Sequence, residues 1–310
     1  MTALPAQVEW QRLDYAWNYL KKDLISEDLY GGTVRMFESI GEKRGVTFSY
    51  VDTSDIELVR KSIRKETKAL YIETPSNPTM KVTDFAAMRK IADEYGLLII
   101  ADNTFLTPYF QKPLTLGADL VVHSGTKFLG GHNDVLAGFV CIKGKGISEK
   151  LRYTYKTVGC CLPPFDSFLV LRGIKTLSVR LERQQENAKK IALWLKDRPE
   201  VKAVYYTGLP EHPGYEINQK QASGCGSMIS FKVDSEKRAR KLLESVKLIS
   251  YAESLGGVES LITYPMLQTH GDVPVETRER LGITEDFLRM SVGIENAEDL
   301  IADLEQALAE

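Results

Sequence analysis

Four cysteines and four histidines in 310 residues leave little material for metal or disulfide chemistry. Cys141, Cys160, Cys161 and Cys225 are too few for a disulfide framework, and the adjacent Cys160–Cys161 pair has no zinc-ligand spacing. Vicinal cysteines also strain poorly into a disulfide, and no redox motif surrounds this pair. His123, His132, His212 and His270 are scattered without a metal-ligand pattern. Neither sign of charge dominates: 40 Lys and Arg against 42 Asp and Glu give a formal net charge of −2. That balance offers no footprint for nucleic acid or an anionic membrane. No apolar run approaches the roughly 20 residues of a membrane-spanning helix. The opening MTALPAQVEWQRLDYAW has neither the basic start nor the apolar core of a secretory signal. Internal repeats and low-complexity stretches are missing too, and Lys143-Gly-Lys-Gly-Ile-Ser148 does not have the phosphate-loop spacing G-x-x-x-x-G-K-[ST]. These absences leave a cytoplasmic, metal-free enzyme or binding protein, with no nucleic-acid partner and no membrane partner.

What is present is an ordinary globular composition, 43% hydrophobic and 26% charged, in a length that suggests two domains. Lys68-Ala-Leu-Tyr-Ile-Glu73 is a short apolar run stopped by Thr-Pro-Ser-Asn-Pro. Between Thr83 and Tyr95, Phe85, Met88, Ile91, Ala92 and Tyr95 recur at helical spacing, with Gly96 as the stop. Leu97–Ala101 and Asp119–His123 are apolar without alternation, as in strands covered on both faces. Short buried strands separated by a helix predict a mainly parallel sheet in an α/β layer fold. Beyond about residue 150 the character changes. A long helix, bent near Gly173, is predicted from Asp166 to Asp197, with Leu169, Leu177, Leu181, Ile191 and Leu195 on its apolar side. Strands at Val201–Tyr206, Met228–Val233 and Leu248–Ala252, with helices near 235–246 and 297–309, predict a smaller α+β unit.

In parallel α/β sheets ligands bind at the carboxyl ends of the strands, where loops and helix N-termini present free N–H groups. The polar residues at those ends are Glu73, Ser76 and Asn77 after one strand, Asp102 and Asn103 after the next, and Ser124, Thr126 and Lys127 after the third. A lysine and an acid on neighbouring strand ends are equally well explained by a structural ion pair. The local wording tilts the balance: in His123-Ser-Gly-Thr-Lys-Phe-Leu-Gly-Gly131 two hydroxyls flank the lysine, and glycines let the backbone approach a ligand closely.

Six runs carry a resemblance: SEDLYGGTVRMF (26–37), ETPSNPTM (73–80), IIADNTFLTP (99–108), VVHSGTKFLGGHNDVLAG (121–138), AESLGGVESLITYP (252–265) and LRMSVGIEN (288–296). In order, they are similar to the cystathionine synthase and lyase family of trans-sulfuration enzymes, which use pyridoxal 5′-phosphate (PLP). The resemblance implies the fold type I architecture of PLP-dependent transferases, a mainly parallel large domain with a smaller α+β C-terminal domain. It implies that Lys127 forms the Schiff base with the cofactor and shuttles protons, and that Asp102 pairs with the pyridine nitrogen. Tyr30 matches the tyrosine that stacks on the cofactor ring and shares in catalysis, and Ser124 and Thr126 match phosphate ligands. Asn77, Ser254 and Arg289 match groups around the substrate carboxylate, for which an arginine fork suits bidentate pairing. Glu253 resembles an acid found in members that work at the γ-carbon. From the residues alone, Tyr30 also reads as a packing aromatic, Arg289 as half of an ion pair between domains, Asn77 as turn chemistry and Glu253 as a solvated loop acid.

The activity so implied is a carbon–sulfur lyase that works by elimination through the Lys127 Schiff base on cystathionine or a related sulfur amino acid. A cystathionine γ-synthase or γ-lyase and a catalytically inactive family member are the alternatives. The family's Tyr-x-Arg arm and its Ser-Gly-Met-Ala-Ala phosphate segment find no match in residues 1–25, where Arg12 has no tyrosine two positions before it. The same comparison implies that the large domain lacks its first strand. The expected division is 1–25 unmatched, 26–175 the PLP-binding domain and 176–310 the linking helix with the small domain. A homo-oligomer, dimer or tetramer, is implied as well.

Overall fold

A computed structural model describes residues 2–6, 22–271 and 273–309. Its larger sheet has seven strands: β1 (Thr2–Ala6), β2 (Lys22–Ser26), β3 (Thr47–Val51), β4 (Thr67–Glu73), β5 (Leu98–Asp102), β6 (Leu120–Ser124) and β7 (Gly138–Ile142). Their spatial order is β1-β7-β6-β5-β4-β2-β3. The pairings from β3 through β2, β4 and β5 to β6 are parallel, and those of β7 with β6 and β1 are antiparallel. The apolar runs of β4, β5 and β6 have no alternation because both faces are covered. On one face lies the helix Phe85–Tyr95, started by Asp84, whose carboxylate accepts from the Ala86 and Ala87 amides at 2.8 and 3.1 Å. Gly96, at φ 67°, ends it. Phe85, Met88 and Ile91 pack from this helix onto Ile72, Ile99 and Ala101 of the sheet.

By resemblance the large domain is expected to lack its first strand; the structure has β1 at the sheet edge, paired antiparallel with β7. Arg12, and most of the segment where the family's arm and phosphate segment were sought, lie outside the described residues.

A second sheet runs β10-β11-β12-β9-β8, built from β8 (Val201–Tyr205), β9 (Met228–Val233), β10 (Ser250–Tyr251), β11 (Leu261–Thr263) and β12 (Phe287–Ser291). Its core joins Ile229, Phe231, Leu288 and Met290 to Leu300 and Leu304 of the helix Ala297–Ala309. The strands β11 and β12 escape a sequence reading because Thr263, Arg289 and Ser291, all buried, interrupt their apolar pattern.

The predicted long helix is two helices, Pro164–Ile174 and Leu177–Lys196, and the break falls at Lys175–Thr176 instead of Gly173. Gly173 serves close packing: a Cβ there would lie 2.2 Å from the Gly130 carbonyl oxygen. Among the described residues no helix is long and apolar enough to cross a membrane, and no cluster of His, Cys, Asp or Glu could hold a metal ion.

Candidate active site

The carboxyl ends of β4, β5 and β6 open into a cavity of about 330 Å³. Glu73, Asp102, Ser124, Thr126 and Lys127 line it from the large sheet, Tyr30 from the start of the helix Gly31–Met36, and Asn77 from the turn after β4. Glu253, Leu255, Thr269 and Arg289 close it from the side of the small sheet. Ser254 joins them through its hydroxyl, which accepts from Lys127 Nζ at 3.2 Å. The structure thus gathers Tyr30, Asn77, Asp102, Ser124, Thr126, Lys127, Glu253, Ser254 and Arg289 around one space, whereas Ser76, which donates to Asp28, and Asn103, which donates to the Gln111 carbonyl, do not line it.

Glycines make that approach possible. A Cβ at Gly32 would lie 2.5 Å from the Tyr30 ring and one at Gly31 2.5 Å from the Thr269 carbonyl oxygen, so Tyr30-Gly-Gly folds the ring back against the chain. Gly256, at φ 78°, crosses the Lys127–Phe128 peptide so closely that a Cβ would sit 2.7 Å from Phe128 N. Its own amide donates to Ser291 Oγ at 2.8 Å, which ties the 254–257 loop to β12.

The turn Gly125–Leu129 that carries Lys127 leaves helical geometry at the lysine itself, at φ −92° and ψ −130°. Arg180, buried in the helix Leu177–Lys196, holds it there: Nη1 donates to the Phe128 carbonyl at 2.9 Å and Nη2 to the Gly173 carbonyl at 2.9 Å.

Arg289 is 1% exposed and engages neutral acceptors. Nη1 donates to Asn77 Oδ1 at 2.7 Å; Nη2 donates to the Glu253 carbonyl at 3.0 Å and to Thr263 Oγ1 at 3.1 Å. Its Nε is buried without a partner. Burial lowers the guanidinium pKa to about 10, partly offset by Glu253, Glu73 and Tyr30, so it stays charged at neutral pH. The ion-pair and turn readings of Arg289 and Asn77 therefore give way to one arrangement, a buried cation steadied by an amide.

Across the cavity, burial raises the pKa of Asp102, and hydrogen bonds from Thr104 and Tyr71 oppose that rise. One of them is the Thr104 amide, 2.9 Å from Oδ1. The Glu73 carboxyl is pushed well above the usual range by burial and then by Asp102, its register partner on β5. Thr126 Oγ1 already accepts from the Ala137 amide at 3.0 Å, which fixes its rotamer.

Sequence reasoning gave Glu73 no role and passed over Thr104 and Thr269. Thr104 stands two positions after Asp102, where a polar strand end was the available signal. Thr269, far beyond Tyr30 in the chain, gives no local sign that it reaches this cavity.

The sequence model of the Cys/Met metabolism PLP-dependent enzymes matches residues 21–309. The chain is 50% identical to a cystathionine gamma-lyase of Bacillus subtilis over 285 residues, 92% of this chain and 75% of that protein. It is 46% identical to a cystathionine beta-lyase of Coxiella burnetii over 288 residues, 92% of this chain and 74% of the other. Among solved structures, the cystathionine gamma-lyase of Lactobacillus plantarum complexed with L-serine superposes with a TM-score of 0.96 at 40% identity, over 100% of this chain and 82% of that one.

Proposed function

The chain belongs to the Cys/Met metabolism PLP-dependent enzyme family, and on that premise we propose that it is a carbon–sulfur lyase that cleaves cystathionine or a related sulfur amino acid by elimination. The observation that carries this reading is the meeting of Lys127 Nζ and Ser254 Oγ at 3.2 Å in a cavity walled by Asp102 on one side and the Arg289–Asn77 pair on the other.

The residues suit the cofactor. Asp102 is a carboxylate that burial disfavours and that a ring N–H would satisfy, and Arg289 keeps a buried, unpartnered N–H for an anion. When bound, PLP supplies the electron sink that makes the substrate's α-hydrogen acidic.

This chain's own residues then have distinct tasks. Arg289, steadied by Asn77, binds the substrate α-carboxylate and so orients the α-hydrogen. Lys127 takes that proton at Nζ and returns it to the leaving sulfur, with Ser254 Oγ fixing where Nζ stands. Asp102 would keep a pyridine nitrogen protonated, and Tyr30, also in the cavity lining, would pack against the ring. The Ser124 and Thr126 hydroxyls, both in the cavity lining, would hold the phosphate. Released keto acid with free thiol from cystathionine, made by the PLP-loaded protein, tests the proposal; release of neither would overturn it. Pyruvate with homocysteine marks cleavage at the β-carbon, and 2-oxobutyrate with cysteine marks cleavage at the γ-carbon.

Glu253 favours a second reading, γ-replacement on an activated homoserine ester, because it lines the cavity opposite the strand ends. Formation of cystathionine from such an ester and cysteine decides for it. We further assign 26–175 to the cofactor-binding domain and 176–310 to the small domain with its linking helix, which the break at Lys175–Thr176 supports. A homodimer or homotetramer is favoured by Leu136, which is 69% exposed at the cavity rim, and by the exposed Phe165, Phe168 and Leu171 on one helix. Cys141, Cys160, Cys161 and Cys225 form no disulfide with one another, which fits a cytoplasmic setting.

A further inference from the structure

Glu73 has no task in the chemistry proposed above, yet it forms part of the same cavity wall and is 6% exposed. It ends β4, in register with Asp102 at the end of β5. Side chains at paired positions on neighbouring strands leave the sheet on the same face, so the two carboxyls stand side by side. Two ionised carboxylates in such a place repel, which favours a proton on one of them.

Asp102 has hydrogen bonds from Thr104 and Tyr71 to favour its ionised form. The charged groups that face Glu73 are Asp102, Asp28 and Arg289, and the two acids outweigh the arginine. Glu73 Oε2 accepts from the Tyr30 amide at 3.1 Å. Tyr30 is the N-cap of the helix Gly31–Met36 and offers that helix no side-chain cap; its backbone is held from Glu73, and its ring folds over Gly32 into the cavity lining.

Resting on the cofactor reading above, we infer that Glu73 is a positioning residue of the cofactor site: its side chain anchors the Tyr30 backbone, and with it the ring, without placing a second charge beside Asp102. The acceptor is what matters, and the negative charge is dispensable.

Glu73→Gln keeps an acceptor and cannot ionise. It is expected to bind PLP within about threefold of the wild type and to leave the pH dependence of the bound-cofactor absorbance in place. Glu73→Ala removes the acceptor and is expected to weaken PLP binding roughly 5- to 100-fold. Because the effect runs through Tyr30, the same substitution made in Tyr30→Ala should cost less than about threefold more. Equal losses from Glu73→Ala in both backgrounds would overturn the inference, since a merely structural acid would cost the same in each. So would a Glu73→Gln protein as weak as Glu73→Ala, or one whose cofactor absorbance titrates about a pH unit or more away. If Glu73→Ala does not fold, Glu73→Gln alone decides by the same criteria. A wild type that takes up no PLP would instead overturn the function proposed above, and this inference with it.

Discussion

Exchanging Arg289 for lysine separates charge from geometry at the cavity's anion site. The guanidinium spans Asn77 Oδ1 at 2.7 Å and Thr263 Oγ1 at 3.1 Å, and still holds a buried, unpartnered Nε–H. Lysine keeps one positive charge but has a single nitrogen with three donors, on a flexible stem. It cannot satisfy both acceptors and also offer a carboxylate a two-armed grip. At least one acceptor loses its donor, a loss of about 1–3 kcal/mol that falls on stability. The substrate loses one charge-assisted bond, about 1.5–3 kcal/mol, which corresponds to a KM roughly 10- to 150-fold higher. PLP uptake should be nearly unchanged, because Lys127, Asp102 and the hydroxyl end of the cavity are untouched. The assay is initial-rate keto-acid release from cystathionine, with cofactor absorbance and a thermal melt as controls. A folded, PLP-loaded Arg289→Lys protein with KM within about threefold of the wild type would show that the carboxylate binds elsewhere.

Gly256→Ala should lower stability by about 2 kcal/mol or more, because an L-residue at φ 78° is strained and its Cβ would meet Phe128 N at 2.7 Å. It should lower kcat as well by moving Ser254 off Lys127; a melt and a turnover rate both at wild-type values would refute this. His123 and His270 are buried and kept neutral, with pKa values pushed down to about 4 by burial, and at His270 next by Arg289. As pH falls below about 6.5 the unfolded chain takes up these protons first, so the stability they give is full above that pH and is lost toward pH 4. At pH 5 the loss is about 2 kcal/mol for each. The raised carboxyls of Asp28, Glu73 and Asp102 titrate in the opposite sense. The comparison is therefore with His270→Gln, relative to which the wild-type denaturant midpoint should fall between pH 7.5 and 5; a constant difference would contradict the assignment.

The large sheet is legible in the sequence because burial on both faces writes its strands as unbroken apolar runs, and because a parallel sheet delivers the residues after those runs to one edge. Asp102 and Lys127 could be placed together for that reason. Arg289 and Asn77 are 212 residues apart, and nothing local to either announces their 2.7 Å bond. Only the order of the quoted motifs linked them. The small sheet hid β12 because a strand with Arg289 and Ser291 facing a buried site does not look apolar. Gly173 was misread as a bend for a related reason: a glycine marks either a flexible turn or a close approach, and the Gly130 carbonyl decides for the second. Glu73 shows no local sign of its task, since it acts on a backbone amide 43 residues earlier in the chain.

The most direct measurement is an absorbance titration of the protein with PLP, run beside Lys127→Ala. A yellow band of lysine-bound cofactor that saturates in the wild type and is missing in Lys127→Ala is the predicted result. The same band in both proteins, or in neither, would contradict the placement of the cofactor on Lys127.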